Sequence, residues 1–207
     1  MKKLVALFLG SLLPFAVLRA DTVLINFQGD QVTDQFNVGL VDGSLVLLVA
    51  NVATPSTAGA GFGLLEPGTL NIGDLLNGEY QILGRGAVAE FSLPGEFAAT
   101  TGAIPLTGGS FPNLSTGDQL AILWFPDLAE STDFSLVAGT SYGLYTVDAD
   151  TAWQVPVGGT PSFDVTVPSG TAAAYTVAAV PEPSAFAALA GLSVLGWRVV
   201  RRRRAAA

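Results

Sequence analysis

Three residue types that carry much of enzyme chemistry are missing or nearly so. The 207-residue chain has no cysteine and no histidine, and its single methionine is Met1. Without thiols there is no disulfide framework and no thiolate zinc site; without imidazole there is no Cys/His dyad and no Ser-His-Asp triad. The lack of cysteine does not fix a redox compartment, because a domain of this size buries enough core to fold without covalent staples. Positive charge is also scarce in the body of the chain. Of nine Lys and Arg residues, eight (Lys2, Lys3, Arg19, Arg198 and Arg201 to Arg204) lie near the two ends, and only Arg85 lies between them. From Asp21 to Val180, 16 carboxylates face one arginine, a net 15 negative charges. A field of that sign repels phosphate backbones, so no nucleic-acid partner is expected.

What is present is apolar: half of the residues are hydrophobic, enough for one well-cored domain and too few for two. The N-terminal stretch MKKLVALFLGSLLPFAVLRA has a basic start, an apolar stretch from Leu4 to Leu18 and a small residue, Ala20, before Asp21. That order is the anatomy of a secretory signal peptide over residues 1–20. Near the other end, Ser184 to Trp197 is uncharged. As a helix it would extend about 21 Å, short of the roughly 30 Å hydrocarbon layer unless it continues past Arg198 to Val200. Arg201, Arg202, Arg203 and Arg204 would then hold the C-terminal end on the cytoplasmic side.

Just before this run stands Pro181-Glu182-Pro183, whose prolines keep the backbone extended and out of a helix. An extended tripeptide outside a short membrane helix that ends in arginines resembles the PEP-CTERM sorting signal of Gram-negative, exopolysaccharide-producing bacteria. The resemblance covers residues 181–207 and implies an exosortase as partner, transient anchoring in the inner membrane, and delivery to the cell surface or extracellular matrix. A plain tail-anchor helix is the competing reading, although such an anchor is usually longer. The stretches GDQLAILWFPDL and GTSYGLYTVDADTAWQVPVGG are also similar to surface proteins of Verrucomicrobia-like genomes that carry this tail. No activity comes with that likeness.

Between the ends, short runs rich in Val, Leu, Phe and Tyr are punctuated every 8 to 12 residues or so by Gly, Pro, Asn or Asp. This spacing predicts an all-β domain over residues 21–167, an antiparallel sandwich of jelly-roll type. Expected strands are Thr22 to Phe27, Phe36 to Val41, Ser44 to Ala50, Tyr80 to Gly84, Ala87 to Leu93, Asp118 to Phe125, Asp133 to Ala138, Ser141 to Val147 and Ser162 to Val167. Asp42-Gly43 suits a tight hairpin turn between the second and third. SLVLLVA and LAILWF are continuously apolar and should be central strands covered on both faces, whereas FDVTV alternates and should have one wet face. A short helix is expected at Ile72 to Leu76 with Asn71 as its cap. Residues 168–180 read as a last strand or as a spacer to the tail.

Carboxylates are the strong acid-base groups on offer. On a strand, Asp148 and Asp150 would share a face at roughly 6.5 to 7 Å, a separation open to glycoside hydrolysis, yet a solvated acidic turn is the plainer reading. No cofactor is implied by a motif. Calcium is the ion that Asp148, Asp150, Asp127, Glu130 and Asp133 would suit, although none of them lies in a D-x-[DN]-x-[DN]-G loop. Trp124, Phe125, Tyr142, Tyr145 and Trp153 could stack on sugar rings; Trp124 and Phe125 read as core, and Trp153, near Pro156 and Gly158-Gly159, as the exposed one. The expectation is a non-enzymatic surface or matrix protein with exopolysaccharide as candidate partner and Trp153, Asp148 and Asp150 as candidate ligand residues. A small two-carboxylate polysaccharide hydrolase and a lectin-like module are the alternatives.

Overall fold

The two continuously apolar runs lie side by side in the middle of a sheet and decide how everything else packs. The computed structural model describes residues 22–53, 62–89, 93–106, 111–148, 150–156 and 162–178. Among them the strands are β1 (Thr22–Gly29), β2 (Ser44–Asn51), β3 (Gly68–Thr69), β4 (Leu75–Leu76), β5 (Tyr80–Ala87) and β6 (Phe97–Thr100). They continue with β7 (Ile104–Pro105), β8 (Gln119–Ala129), β9 (Ser135–Leu136), β10 (Ser141–Tyr145), β11 (Ser162–Val167) and β12 (Tyr175–Thr176). A six-stranded sheet runs β12-β10-β8-β2-β5-β4, with β2 and β8 at its centre. A second sheet runs β11-β1-β6, with β7 pairing the start of β1, and β3 and β9 form a small pair of their own. Every pairing between these strands is antiparallel except β1 with β11, which run parallel.

Side chains on a strand alternate between its two faces, and β2 and β8 divide accordingly between two cores. Val46, Leu48 and Ala50, with Leu120, Ile122 and Trp124, meet Val23, Ile25, Phe27, Phe97, Val165 and Val167 of the second sheet. Leu45, Leu47 and Val49, with Ala121, Leu123 and Phe125, meet Leu65, Leu70, Leu76, Leu136 and Val177 on the other side. All eight residues of β2 are therefore buried, as expected of a strand covered on both faces. By contrast β1 and β11 alternate, with Val23, Ile25, Phe27, Val165 and Val167 inward.

Close packing within and between the sheets depends on missing side chains. The β2–β5 register shifts between Leu48 and Val49, where Leu48 pairs Gly84 and Val49 pairs Ile82, so Leu83 is an extra residue in β5, the pattern of a bulge. A Cβ on Gly86 would stand 2.6 Å from the Ala99 Cβ. On β10, a Cβ on Gly143 would run into the indole of Trp124, whose Nε1 donates to the Thr33 carbonyl at 3.1 Å.

Several expected elements take another form. Phe36 to Val41 is not a strand: Asp34 Oδ1 accepts from the N–H groups of Phe36 (2.8 Å) and Val38 (2.9 Å), and Asn37 takes a φ of 62°. A side chain that hydrogen-bonds the local backbone competes with a ladder, and here it wins, leaving Phe36, Val38 and Val41 exposed. The Asp42-Gly43 turn forms, with Gly43 at φ 85°, but it leads from that loop rather than from a strand. Ile72 to Leu76 is a turn followed by β4, because Asp74 Oδ2 accepts from both the backbone and the side-chain nitrogens of Asn71 at 3.0 Å. Ala87 closes β5 instead of opening a separate strand, and part of the expected Ala87–Leu93 run lies outside the described residues. Within residues 168–180, Tyr175 and Thr176 form a last strand on β10, with Ala173 and Val177 buried beside it. Residues 1–20 and 181–207, where a signal peptide and a membrane helix are expected, lie outside the described residues.

Gly143→Ala should lower the stability of the domain by about 2 to 3 kcal/mol, since a filled site must be overpacked against a buried indole. Gly102 is the comparison, because a Cβ added there would meet nothing within 4 Å. Gly102→Ala should change the urea midpoint little or raise it slightly.

Candidate functional site

The acidic pair and the tryptophan picked out by the sequence do not form a site. Trp153 is 6% exposed, not solvent-facing; it ends a single 3-10 turn, Thr151–Trp153, and meets Tyr145 edge to face at 5.2 Å. The buried amide of Gln119 reinforces this by donating to the carbonyls of Trp153 (2.8 Å) and Val147 (3.0 Å). Asp150 caps the turn, its Oδ1 accepting from Ala152 N at 2.9 Å, while Asp148 is exposed in the preceding turn. The strand spacing that would place the two carboxylates on one face is therefore absent. Trp124 and Phe125 are core residues, as expected, and Tyr142, a candidate for stacking on sugar, is buried as well.

Three of the residues considered for calcium, Asp133, Glu130 and Asp150, have structural partners instead. Asp133 Oδ2 accepts from Ala129 N at 2.6 Å, Glu130 Oε1 lies 3.6 Å from Arg85 Nε, and Asp127 is exposed. Among the described residues no three acidic side chains converge in a way that could hold a metal ion. Arg85 is the hub of this corner. Its guanidinium donates to the carbonyls of Leu70 (2.6 Å), Glu130 (2.5 Å) and Asp133 (3.2 Å) and lies over the Phe134 ring at 4.6 Å.

A feature not read from the sequence lies on the outer face of the second sheet. Asn26 Nδ2 donates to Asp164 Oδ1 at 2.6 Å, and Thr100 Oγ1 donates to Asn26 Oδ1 at 2.8 Å. One step along, Gln28 Nε2 donates to Thr166 Oγ1 at 3.1 Å. The first row crosses β11, β1 and β6 in register and the second β11 and β1, with Ala98 opposite Gln28 on β6; Asn26, Gln28, Thr100 and Asp164 line a shallow depression of about 400 Å³. Alternation in TVLINFQG and SFDVTV marks Asn26, Gln28, Asp164 and Thr166 as outward-facing. Their juxtaposition needs the parallel pairing of β1 with β11, across 138 residues, which no local pattern encodes.

Asp118, 4% exposed, is the buried carboxylate of the domain's described part. Burial raises its pKa above the ordinary value, while the Ser115 N–H, donating to Oδ2 at 2.7 Å, pulls it down. A raised carboxyl binds its proton more tightly in the folded state, so stability is highest below the unfolded value and falls as pH rises through the folded one. Asp74 has the opposite sign: hydrogen bonds from Thr69 and Asn71 lower its pKa, and the stability it adds is lost as pH falls. Asp118→Asn keeps an acceptor for Ser115 and removes the buried charge. The variant should show a higher urea midpoint than the wild type at pH 7 and the same one near pH 3; a difference that does not vary with pH would contradict this assignment.

The chain leaves the described domain at Ala178, whose N–H donates to the Leu65 carbonyl at 2.8 Å. Pro181, Glu182 and Pro183 follow, and with Arg198 and Arg201 to Arg204 they lie outside the described residues. Neither a curated protein nor a solved structure matches the chain. Residues 179–204 match the family model of the PEP-CTERM protein-sorting motif. That match begins at the residue after the last described one, and it covers the Pro-Glu-Pro, the apolar run and the arginines. The chain is thus an exported protein bearing a PEP-CTERM sorting motif, a substrate that an exosortase recognises and directs to the envelope or surface of a Gram-negative cell.

Proposed function

We propose that the β-sandwich is a non-enzymatic component of the cell surface or extracellular matrix that engages exopolysaccharide through the outer face of its second sheet. The observation that carries this reading is the polar ladder of Asp164, Asn26 and Thr100 with Gln28 and Thr166. Amides, hydroxyls and a carboxylate provide donors and acceptors side by side, which suits a ligand made of hydroxyl groups. Neighbouring strands repeat at about 4.8 Å and same-face residues at about 6.7 Å along a strand, so the ladder is a regular two-dimensional array rather than a single pocket. The acidic body favours an uncharged glycan over an acidic one, since like charges repel across an interface.

This places the binding residues away from Trp153, Asp148 and Asp150. A two-carboxylate hydrolase draws no support from that pair, because Asp150 is occupied as a cap and Asp148 is solvated. Asn26→Ala combined with Asp164→Ala alters one half-buried and one exposed side chain on the outer face, away from the core, and should leave the fold intact. Retention of the purified domain on the host's exopolysaccharide should fall about tenfold, as expected when roughly 1.4 kcal/mol of binding is lost. Undiminished retention of a folded double variant would dismiss the ladder as the binding face.

A further inference from the structure

The point where the sorting motif leaves the domain carries an apolar rim of its own. Ala178 N is bonded to Leu65 O, Val177 N to Thr140 O, and Gly139 N to Val177 O. These bonds pin the last described residues between the segment around Leu65 and the loop before β10. The flanking side chains are exposed: Leu64 is 57% exposed, Val137 59% and Tyr175 43%. All three belong to this one place. Leu64 precedes the residue that holds Ala178, Val137 O accepts from Thr140 N, and Tyr175 stacks at 5.4 Å on Tyr142, whose hydroxyl accepts from Leu65 N at 3.0 Å. Ala138, Gly139, Ala174 and Thr176 around them are exposed and uncharged, and the exposed Glu66 stands on the far side of Leu65.

Covalent geometry fixes what this rim must face. Pro181 lies three residues beyond Ala178, so even a fully extended chain separates them by about 10 Å. Whatever grips Pro181-Glu182-Pro183 therefore works within about 10 to 17 Å of Ala178. For a body carrying a net 15 negative charges from Asp21 to Val180, a largely apolar exit with few carboxylates is the part that can approach another surface with least repulsion.

We infer that Leu64, Val137 and Tyr175 form a docking surface for the exosortase, seated against an apolar, uncharged border of that enzyme's entrance while the Pro-Glu-Pro segment is bound. The inference rests on exosortase sorting of this chain and adds to it a role for the folded domain. Two linked contacts, tail and rim, raise the effective concentration of the motif at the enzyme without any change in the motif itself.

The test uses the full chain in its native host, with tail removal followed by pulse labelling and intact mass. The combined Leu64→Asp, Val137→Asp and Tyr175→Asp variant should lose its tail about tenfold more slowly than the wild type. Leu24→Asp, at an exposed position on the outer face of the second sheet and across the six-stranded sheet from the rim, should be processed at the wild-type rate. A benzophenone amino acid in place of Val137 in the otherwise wild-type chain should cross-link to a tagged exosortase, a readout that stands even if the triple variant fails to fold. Tail removal that is unaffected by the triple substitution, with no exosortase cross-link at position 137, overturns the docking surface while sorting stands. Cross-links to lipid alone overturn the enzyme as occupant. A wild-type chain that never loses its tail removes the sorting reading itself.

Discussion

Strands β2 and β8 carry apolar side chains on both faces, and the rest of the domain is arranged to cover the two surfaces they create. One cover is regular: the sheet of β1, β6, β7 and β11 supplies alternating inward residues in a single packing layer. The other is built largely from irregular chain, the segments around Leu65, Leu70, Leu76, Leu136 and Val177. Irregular backbone packed on a core leaves N–H and C=O groups that need partners. Side chains projecting from the neighbouring elements provide them. Arg85 binds three carbonyls, Tyr80 and Tyr142 accept from the Gly63 (2.6 Å) and Leu65 N–H groups, and Asn77 serves both Leu64 O (2.7 Å) and Glu66 N (2.8 Å). This explains why the one arginine of the body is 7% exposed at its side chain rather than placed at the surface to balance charge. A guanidinium that satisfies several carbonyls at once is suited to that position, since it presents a fixed fork of donors.

The legible parts of the sequence are those where one physical cause acts alone. Continuous apolarity in SLVLLVA and LAILWF reports two-sided burial, and alternation in TVLINF and FDVTV reports one-sided burial. Misreadings arise where a short polar side chain overrides the pattern. FNVGLV looks like a strand until Asp34 captures two of its N–H groups, and Ile72 to Leu76 looks like a helix until Asp74 captures Asn71. Trp153 sits among loop residues and so reads as exposed, yet Tyr145 and Gln119 draw it in. The polar ladder is visible in the sequence only in halves, and the strand β6 between Pro94 and Thr101, with its small-residue run FAAT, gives too little apolar signal to be anticipated.

The two ends of the functional account are of different kinds. The tail is a linear signal, readable from residue order because an enzyme reads it in that form. The two surfaces proposed for the body exist only after folding, since the ladder and the exit rim are assembled from residues far apart in the chain. The two surfaces lie on opposite sides of the six-stranded sheet, so a domain held by its rim at the membrane would keep its polar face turned outward.

The central claim is that the chain is sorted through its C-terminal motif, and we propose that sorting releases the folded domain from that tail. The intact mass of the protein recovered from the cell surface or medium of its native host tests this most directly. A product that contains the described domain through Ala178 and lacks everything beyond the neighbourhood of Pro181 to Pro183 is the predicted result. A mature product that retains Arg201 to Arg204 would contradict it.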